Sequence, residues 1–192
     1  MRTMTRNRLN SVIHRYNLMP PQGELFTTPK YRAWWLGLNL SPTEKLRIRQ
    51  DLATLDHLEP EIAEVGDELH RLSTVSPWVE QTPYLMQLPG FGIIVAMTVL
   101  AAIGDITRFP SAKKLVGYAG LGASVHDSGE THRTGGITKS GRKDLRWIMV
   151  ESARIAVLYH AYWKREYARL EKRLGANKAI VVVARRLLVG VW

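Results

Sequence analysis

The sequence contains no cysteine and no long uninterrupted apolar run. Disulfides and cysteine-based zinc sites are therefore excluded, and a reducing cytoplasm is the expected environment. The apolar run Phe91–Ile103 is shorter than the roughly 20 residues that cross a bilayer, and Gly104 ends it. The basic residues of Met1–Arg8 lead into no apolar signal-peptide core. The six histidines show no spacing typical of metal ligands, so the sequence predicts neither a membrane partner nor a metal centre.

Positive charge is concentrated in one half of the chain. Hydrophobic residues make up 45% of the 192 residues and charged residues 23%, which is typical of a globular protein. The net charge is +10, but residues 1–107 hold ten Lys/Arg against eleven Asp/Glu, whereas residues 108–192 hold seventeen against six. This asymmetry favours binding of a polyanion, nucleic acid first, over the alternative of a merely basic, soluble surface.

The apolar periodicity predicts a mainly α fold that begins with a helical, coiled-coil segment over residues 1–76. A short helix is expected over Arg6–Leu18, and residues 22–41 are expected to form a connector that packs aromatic side chains. Ser41, followed by a proline and, three residues later, by Glu44, is typical of a helix start. A long helix is therefore predicted from this point.

The predicted long helix carries apolar residues in alternating steps of three and four, which is the spacing of a coiled-coil seam. The seam predicts that residues 45–75 associate with a partner helix, either from the same chain or from a second subunit in a homo-oligomer. The alternative is an amphipathic helix that packs on its own domain. Pro60 disfavours a straight helix and is expected to kink it. The seam consists of Leu55, Leu58, Ile62, Val65, Leu69 and Leu72.

A helix-hairpin-helix pattern is predicted over about residues 77–104. Helices are expected over Pro77–Leu88 and Ile93–Ile103, and Gly90 and Gly92 lie in the turn between them. The glycines would let the backbone approach a phosphate closely, and the second helix would present free N–H groups to it. A purely structural turn of the same composition is the alternative.

A glycine-rich stretch, residues 119–141, separates the predicted helix Ala112–Tyr118 from terminal helices over residues 142–192. A loop of roughly 20 residues in a compact domain is usually functional or disordered. Short strands around Val125 and Ile137 are compatible with its few apolar residues. We interpret this stretch as an active loop.

The active loop carries the residues that we expect to perform chemistry. Ser128 precedes a glycine, which leaves its hydroxyl room to protrude, although Ser-Gly is also a common turn. Nearby cations would stabilise the negative charge of a pentacovalent phosphate. The predicted nucleic-acid-binding cations are Arg133, Lys139, Arg142, Lys143 and Arg146.

Two runs of the sequence resemble a known protein family. They are LPGFGIIVAMTVLAAIGDITRFPSAKKLVGYAGL (88–121) and DSGETHRTGGITKSGRKDLRWIMVESAR (127–154). They resemble the C-terminal transposase domain of the one-ten family of insertion sequences, whose members are bridge-RNA-guided serine recombinases. Residues 6–75 are similar to the coiled-coil segment that precedes that domain. The resemblance therefore implies a C-terminal transposase domain over residues 77–192.

The resemblance also implies the chemistry of the site. A serine of this family attacks the DNA backbone and becomes covalently linked to it, and the matching residue is Ser128; Ser124 and Ser140 are weaker candidates. DNA and a guide (bridge) RNA are the implied partners, in the bacterial cytoplasm or nucleoid. Gly122-Ala123 replaces the usual Thr-Pro, and Arg142 replaces the usual Asn. Neither departure involves the candidate nucleophile.

The family resemblance further implies an N-terminal RuvC-like domain whose DEDD carboxylates bind Mg²⁺. The sequence shows neither a βαβ pattern nor such a carboxylate set. We therefore expect this chain to correspond to the rear part of such an enzyme, to hold no cofactor itself and to be inactive without the carboxylate domain. The alternative is a non-catalytic, truncated module that binds nucleic acid and dimerises. The two hypotheses differ in whether Ser128 can become attached to DNA.

Overall fold

The chain folds into two compact units, Met1–Asp67 and Glu68–Trp192. The computed structural model describes residues 1–26, 28–128 and 131–192, with the backbone alone at 29–30, 125–128 and 131–135. These described residues form nine α-helices and one two-stranded sheet, which confirms the predicted mainly α fold. The domain boundary predicted after residue 76 stays a prediction.

The first unit packs α1 (Arg2–Arg15) and α2 (Pro29–Gly37) with the first part of α3 (Pro42–Ser73). The expectation of a connector over residues 22–41 is wrong in part, because α2 lies within it. Proline at the first helical position has its φ already set for a helix and needs no N–H partner there. The aromatic packing is confirmed, since Trp35 is only 1% exposed. The core of this unit consists of Leu9, Val12, Phe26, Trp35, Ile48, Leu52 and Leu55.

The start of α3 is capped as predicted: the backbone N–H of Glu44 donates to Oγ of Ser41 at 3.3 Å. The helix continues through Pro60 to Ser73. Its apolar seam is buried at Leu55 but solvent-exposed in the middle, at Ile62 and Val65. The last two seam residues, Leu69 and Leu72, pack against the core of the second unit, to which they belong.

The second unit is a helical core with a β-hairpin inserted between its third and fourth helices. The predicted helix Pro77–Leu88 is too long: only Thr82–Met86 is helical, because turns occupy the residues before it. The prediction for Ala112–Tyr118 is confirmed to the residue. The elements are α4 (Thr82–Met86), α5 (Ile93–Ile103), α6 (Ala112–Tyr118), β1 (Ala123–Ser128), β2 (Thr131–Ile137), α7 (Lys143–Tyr159), α8 (Ala161–Leu174) and α9 (Ala176–Val191).

Helix α7 is the centre of this core, since it packs against α5, α8 and α9. Its buried side chains Leu145, Met149, Ala153 and Ala156 recur every three or four residues and form one face. Burying a side chain such as Leu145 contributes about 1.5–3 kcal/mol. Helices α7, α8 and α9 occupy the range 142–192, over which terminal helices are predicted. Across the described ranges, no helix combines the length and the apolar character needed to cross a membrane.

Within the predicted active loop, residues 119–141, the structure has two strands, which confirms the short strands considered around Val125 and Ile137. β1 and β2 pair antiparallel, with His126 opposite Arg133 and Ser128 opposite Thr131. The glycines conceal this pairing in the sequence, because they lower β-propensity and leave few alternating apolar residues. An isolated hairpin is marginally stable, so its attachment to the helices determines where Ser128 lies.

Candidate functional site

The hairpin begins at the end of α6, where Gly120 redirects the chain. Its φ is +66°, and its N–H donates to the carbonyl oxygen of Gly117 at 2.9 Å. The N–H of Leu121 donates to the carbonyl oxygen of Val116 at 3.1 Å. These two bonds form a Schellman motif, which ends a helix through a left-handed residue and satisfies its last carbonyls.

The returning chain runs beside the end of α6, so backbone hydrogen bonds close the base of the hairpin. We use "hairpin base" for residues 118–122 together with residues 138–142. The bonds run from Thr138 N to Gly122 O at 2.9 Å, from Lys139 N to Gly120 O at 3.3 Å and from Arg142 N to Tyr118 O at 2.9 Å.

Two glycines are required for this close approach. Gly141 has a φ of +128°, and a Cβ there would lie 2.2 Å from the carbonyl oxygen of Tyr118. A Cβ at Gly120 would lie 2.5 Å from Nη1 of Arg146. Any side chain at Gly141 would therefore push the two halves of the hairpin base apart.

Two of the predicted nucleic-acid-binding arginines make contacts within the protein. Nη1 of Arg146 donates to the carbonyl oxygen of Ala119 at 3.0 Å, which ties α7 to the end of α6. Nε of Arg142 donates to Oδ1 of Asp144 at 2.9 Å. This guanidinium lowers the pKa of Asp144 to about 2. The carboxylate first, and then the hydroxyl of Tyr118, raise the pKa of Arg142.

The two predicted lysines of the site are solvent-exposed. Lys139 lies in the hairpin base with a φ of +56°, and Lys143 is the first residue of α7. No ion pair among the described residues engages either ammonium group. Their charges are therefore available to an anionic ligand beside Arg142.

Ser128 is the last residue of β1, about 17 Å along the strand from Ala123 at about 3.4 Å per residue. Its side chain and that of Arg133 lie outside the described part of the structure, so their predicted roles stay predictions. Oγ of Ser124 donates to the carbonyl oxygen of Gly136 at 2.9 Å and thereby pins the two strands together. Ser140 is exposed in the hairpin base.

The two glycines of the predicted helix-hairpin-helix have different surroundings. Gly90 has a φ of +85°, and a Cβ there would lie 2.2 Å from the carbonyl oxygen of Ser152 on α7. Gly92 is exposed, precedes α5 and would meet no atom within 4 Å of an added Cβ. The structure thus gives Gly90 a packing role, while phosphate contact by Gly90 or Gly92 stays a prediction.

Sequence reasoning missed one cation beside the hairpin base. The guanidinium carbon of Arg108 lies 4.7 Å from the ring centroids of both Phe109 and Tyr118. The backbone carbonyl oxygen of the same Tyr118 accepts a hydrogen bond from the backbone N–H of Arg142. Only the charge and the adjacent aromatic residue are visible in the sequence, because Tyr118 reaches this position through the fold of α6.

The hairpin and its base lie within the part of the chain that matches a known protein family. Residues 82–169 match the model of the Transposase IS116/IS110/IS902 family. Through these residues the chain belongs to that family of insertion-sequence transposases. The match extends from α4 into α8 and includes Ser128, the hairpin base and Arg108.

Individual relatives agree with the family match. The chain is 31% identical over 133 residues to the transposase for insertion sequence element IS1111A of Coxiella burnetii, which covers 67% of this chain and 36% of the relative. It is 30% identical over 137 residues to the pilin gene-inverting protein of Moraxella bovis, covering 69% and 42%. The 42 kDa protein of insertion element IS900 from Mycobacterium paratuberculosis is 27% identical, covering 81% and 38%. The chain therefore spans well under half the length of these relatives.

Proposed function

We propose that this chain is the DNA-binding and serine-nucleophile part of an insertion-sequence transposase. The observation that carries the proposal is that residues 82–169, which match the family, fold around a hairpin with exposed cations at its base. The names of the relatives, a transposase and a gene-inverting protein, denote rearrangement of DNA. Both processes require a protein that holds and breaks the DNA backbone.

Binding to DNA would be mainly electrostatic. Lys139 and Lys143 are exposed at and beside the hairpin base, and Arg142 retains its charge beside Asp144. Further exposed cations on α8 and α9 extend the basic surface. A bridge RNA, which the family resemblance implies, would bind to the same cationic side chains. The exposed cations of these two helices are Lys164, Arg165, Arg169, Lys172, Arg173, Lys178, Arg185 and Arg186.

The proposed reaction is a transesterification on a DNA phosphodiester. Oγ of Ser128 loses its proton and bonds to phosphorus, one phosphorus–oxygen bond to deoxyribose breaks, and the released deoxyribose oxygen takes a proton. No oxidant or reductant is needed. The product carries DNA covalently on the serine, so that the strand can later be resealed by attack of another deoxyribose hydroxyl on the same phosphorus.

A serine hydroxyl is a weak nucleophile until a base or a metal ion removes its proton. Among the described residues, no three His, Asp or Glu side chains cluster as metal ligands. The magnesium site that the family resemblance implies does not fit these residues, and we assign it to a separate carboxylate domain. On this proposal, the present chain contributes the nucleophile and the DNA-binding surface.

The exposed middle of the α3 seam supports association between copies. Ile62 and Val65 are 41% and 61% exposed on one long helix, whereas the seam residues on either side are buried or partly buried. Pairing two such helices would remove these side chains from water. We propose that the segment 45–75 forms a homo-oligomer.

The experiment is fluorescence anisotropy of the 192-residue chain with labelled duplex DNA at several salt concentrations. The logarithm of the binding constant should fall with log salt by about 0.9 for each phosphate neutralised. Replacing Lys139 and Lys143 with Gln should weaken binding and flatten this slope, whereas Arg47→Gln and Arg49→Gln in the first unit should change neither. A chain that binds no DNA, or binds independently of salt, would contradict the proposal.

A further inference from the structure

The aromatic pair Phe109 and Tyr118 holds Arg108 in a fixed position at the surface of the second unit. The two ring centroids lie 5.2 Å apart with their planes tilted by 57°. Phe109 is buried, and the hydroxyl of Tyr118 donates to the carbonyl oxygen of Ala102 at 3.1 Å. Both rings are thus anchored in the core, and the guanidinium of Arg108 rests against them.

Among the described residues, the recorded side-chain contacts of Arg108 are with aromatic rings. A cation–π contact does not use up N–H donors, so a guanidinium held against aromatic rings can still donate hydrogen bonds to another ligand. The nearby carboxylate of Asp105 already accepts from the N–H of Thr107 at 2.8 Å and from its Oγ1 at 2.7 Å. No ion pair in the described ranges includes Arg108, which is exposed.

Two arginines contact Tyr118, one through its guanidinium group and one through its backbone. The guanidinium of Arg108 lies 4.7 Å from the centroid of the Tyr118 ring, while Arg142 donates its backbone N–H to the carbonyl oxygen of the same residue. Asp144 pairs with the second arginine only, as far as the described residues show. The exposed positive charge of Arg108 on this part of the surface favours an anionic ligand.

We propose that Arg108 contacts a phosphate as part of the DNA-binding surface of the protein and that Tyr118 and Phe109 position it. This inference rests on the proposed function, because it names one contact within that surface. The planar donor fork of an arginine fits two phosphate oxygens at once. Because the rings already restrict Arg108, it loses less side-chain entropy on binding a phosphate than an unrestrained arginine would. The site therefore extends from the hairpin base onto the turn before α6.

The test compares Arg108→Gln with Arg47→Gln, which removes the same charge from an exposed residue of the first unit. In duplex-DNA anisotropy, Arg108→Gln should weaken binding about 5- to 10-fold and reduce the salt slope by about 0.9, the value for one lost phosphate contact. Arg47→Gln should stay within twofold of the unaltered chain. Tyr118→Leu, which removes the ring that positions Arg108, should weaken binding more than Tyr118→Phe, which keeps the ring and removes only the hydroxyl.

A second measurement uses the unaltered chain. Phenylglyoxal modifies exposed guanidinium groups, and bound duplex DNA should protect Arg108 but not Arg47 when the modified peptides are quantified by mass spectrometry. If the chain binds DNA while Arg108→Gln leaves affinity and slope unchanged and Arg108 is unprotected, this inference is wrong and the proposed function stands. An effect on RNA binding alone would also overturn it. If the unaltered chain binds no DNA, the proposed function itself fails.

Discussion

The guanidinium of Arg146 donates to the carbonyl oxygen of Ala119 at 3.0 Å and so joins the first turns of α7 to the end of α6. The hairpin connects the end of α6 to the start of α7, so this bond helps to hold together the hairpin base from which β1 and Ser128 extend. Ala119 is fully buried. Arg146 therefore has a structural function whether or not it contacts DNA.

Removing this bond should destabilise the second unit. Arg146→Ala leaves the carbonyl of Ala119 without its partner, which costs about 1–3 kcal/mol in the free energy of unfolding. Arg154→Ala on the same helix removes only an exposed ion pair, in which Nε of Arg154 lies 3.7 Å from Oε1 of Glu151. This variant should lower the free energy of unfolding by less than about 1 kcal/mol. Urea denaturation measures both. Equal stability of the two variants would show that the Arg146 bond does not hold the hairpin base.

The two turn glycines should respond differently to the same substitution. Gly90→Ala places a Cβ 2.2 Å from the Ser152 carbonyl at a positive φ, and we expect a loss of about 1–3 kcal/mol. Gly92→Ala meets no atom and should leave the melting temperature nearly unchanged. If Gly92 also contacts a phosphate, its variant loses DNA affinity without losing stability. A stable Gly90→Ala would contradict the packing role.

The exposed seam predicts a concentration-dependent oligomer. Ile62→Asp with Val65→Asp should give a monomer in analytical ultracentrifugation, because charges would replace the apolar contacts. Ala53→Asp with Ala63→Asp adds the same charge at exposed positions outside the seam and should leave association intact. An unaltered chain that stays monomeric at high concentration would rule out this interface. Leu69 is unsuitable for the test, since it packs against the core of the second unit.

Glu166 should make the packing of α8 on α9 sensitive to acid. Its carboxylate lies 2.9 Å from Arg169 and 2.5 Å from Arg186, and hydrogen bonds from these two groups lower its pKa from 4.5 to about 2. A depressed pKa contributes stability above pH 4.5, and this contribution disappears as the pH falls towards 2. The stability difference between the unaltered chain and Glu166→Gln should therefore shrink over this range. A difference that stays constant from pH 6 to pH 3 would contradict this assignment.

Local sequence signals predicted the helices with clear starts and ends. Ser41 with Glu44 marks the beginning of α3, and the sequence predicts α6 to the residue because a serine precedes it and a glycine-rich stretch begins just after it. The sequence does not predict α2, because a proline among aromatic residues is also typical of a connector. The same proline stands at the first helical position, where it favours a helix.

The geometry of the candidate site depends on pairings that no local pattern contains. The hairpin base forms because Gly120 and Gly141 allow two distant segments to touch, and the identity of those neighbours is set only by the fold. The contact of Arg108 with Tyr118 has the same origin. By contrast, the excess of positive charge after residue 107 was visible from composition alone, and it lies on the same unit as the family match.

The central claim is that Ser128 becomes covalently attached to DNA. The most direct measurement combines this chain with the carboxylate-bearing domain that the family resemblance implies, adds labelled DNA and Mg²⁺, and maps protein–DNA adducts by denaturing gel and mass spectrometry. We predict a DNA adduct on Ser128 that disappears in Ser128→Ala and does not form with the 192-residue chain alone. Adducts that survive Ser128→Ala, or DNA binding and cleavage without any adduct on Ser128, would contradict the account.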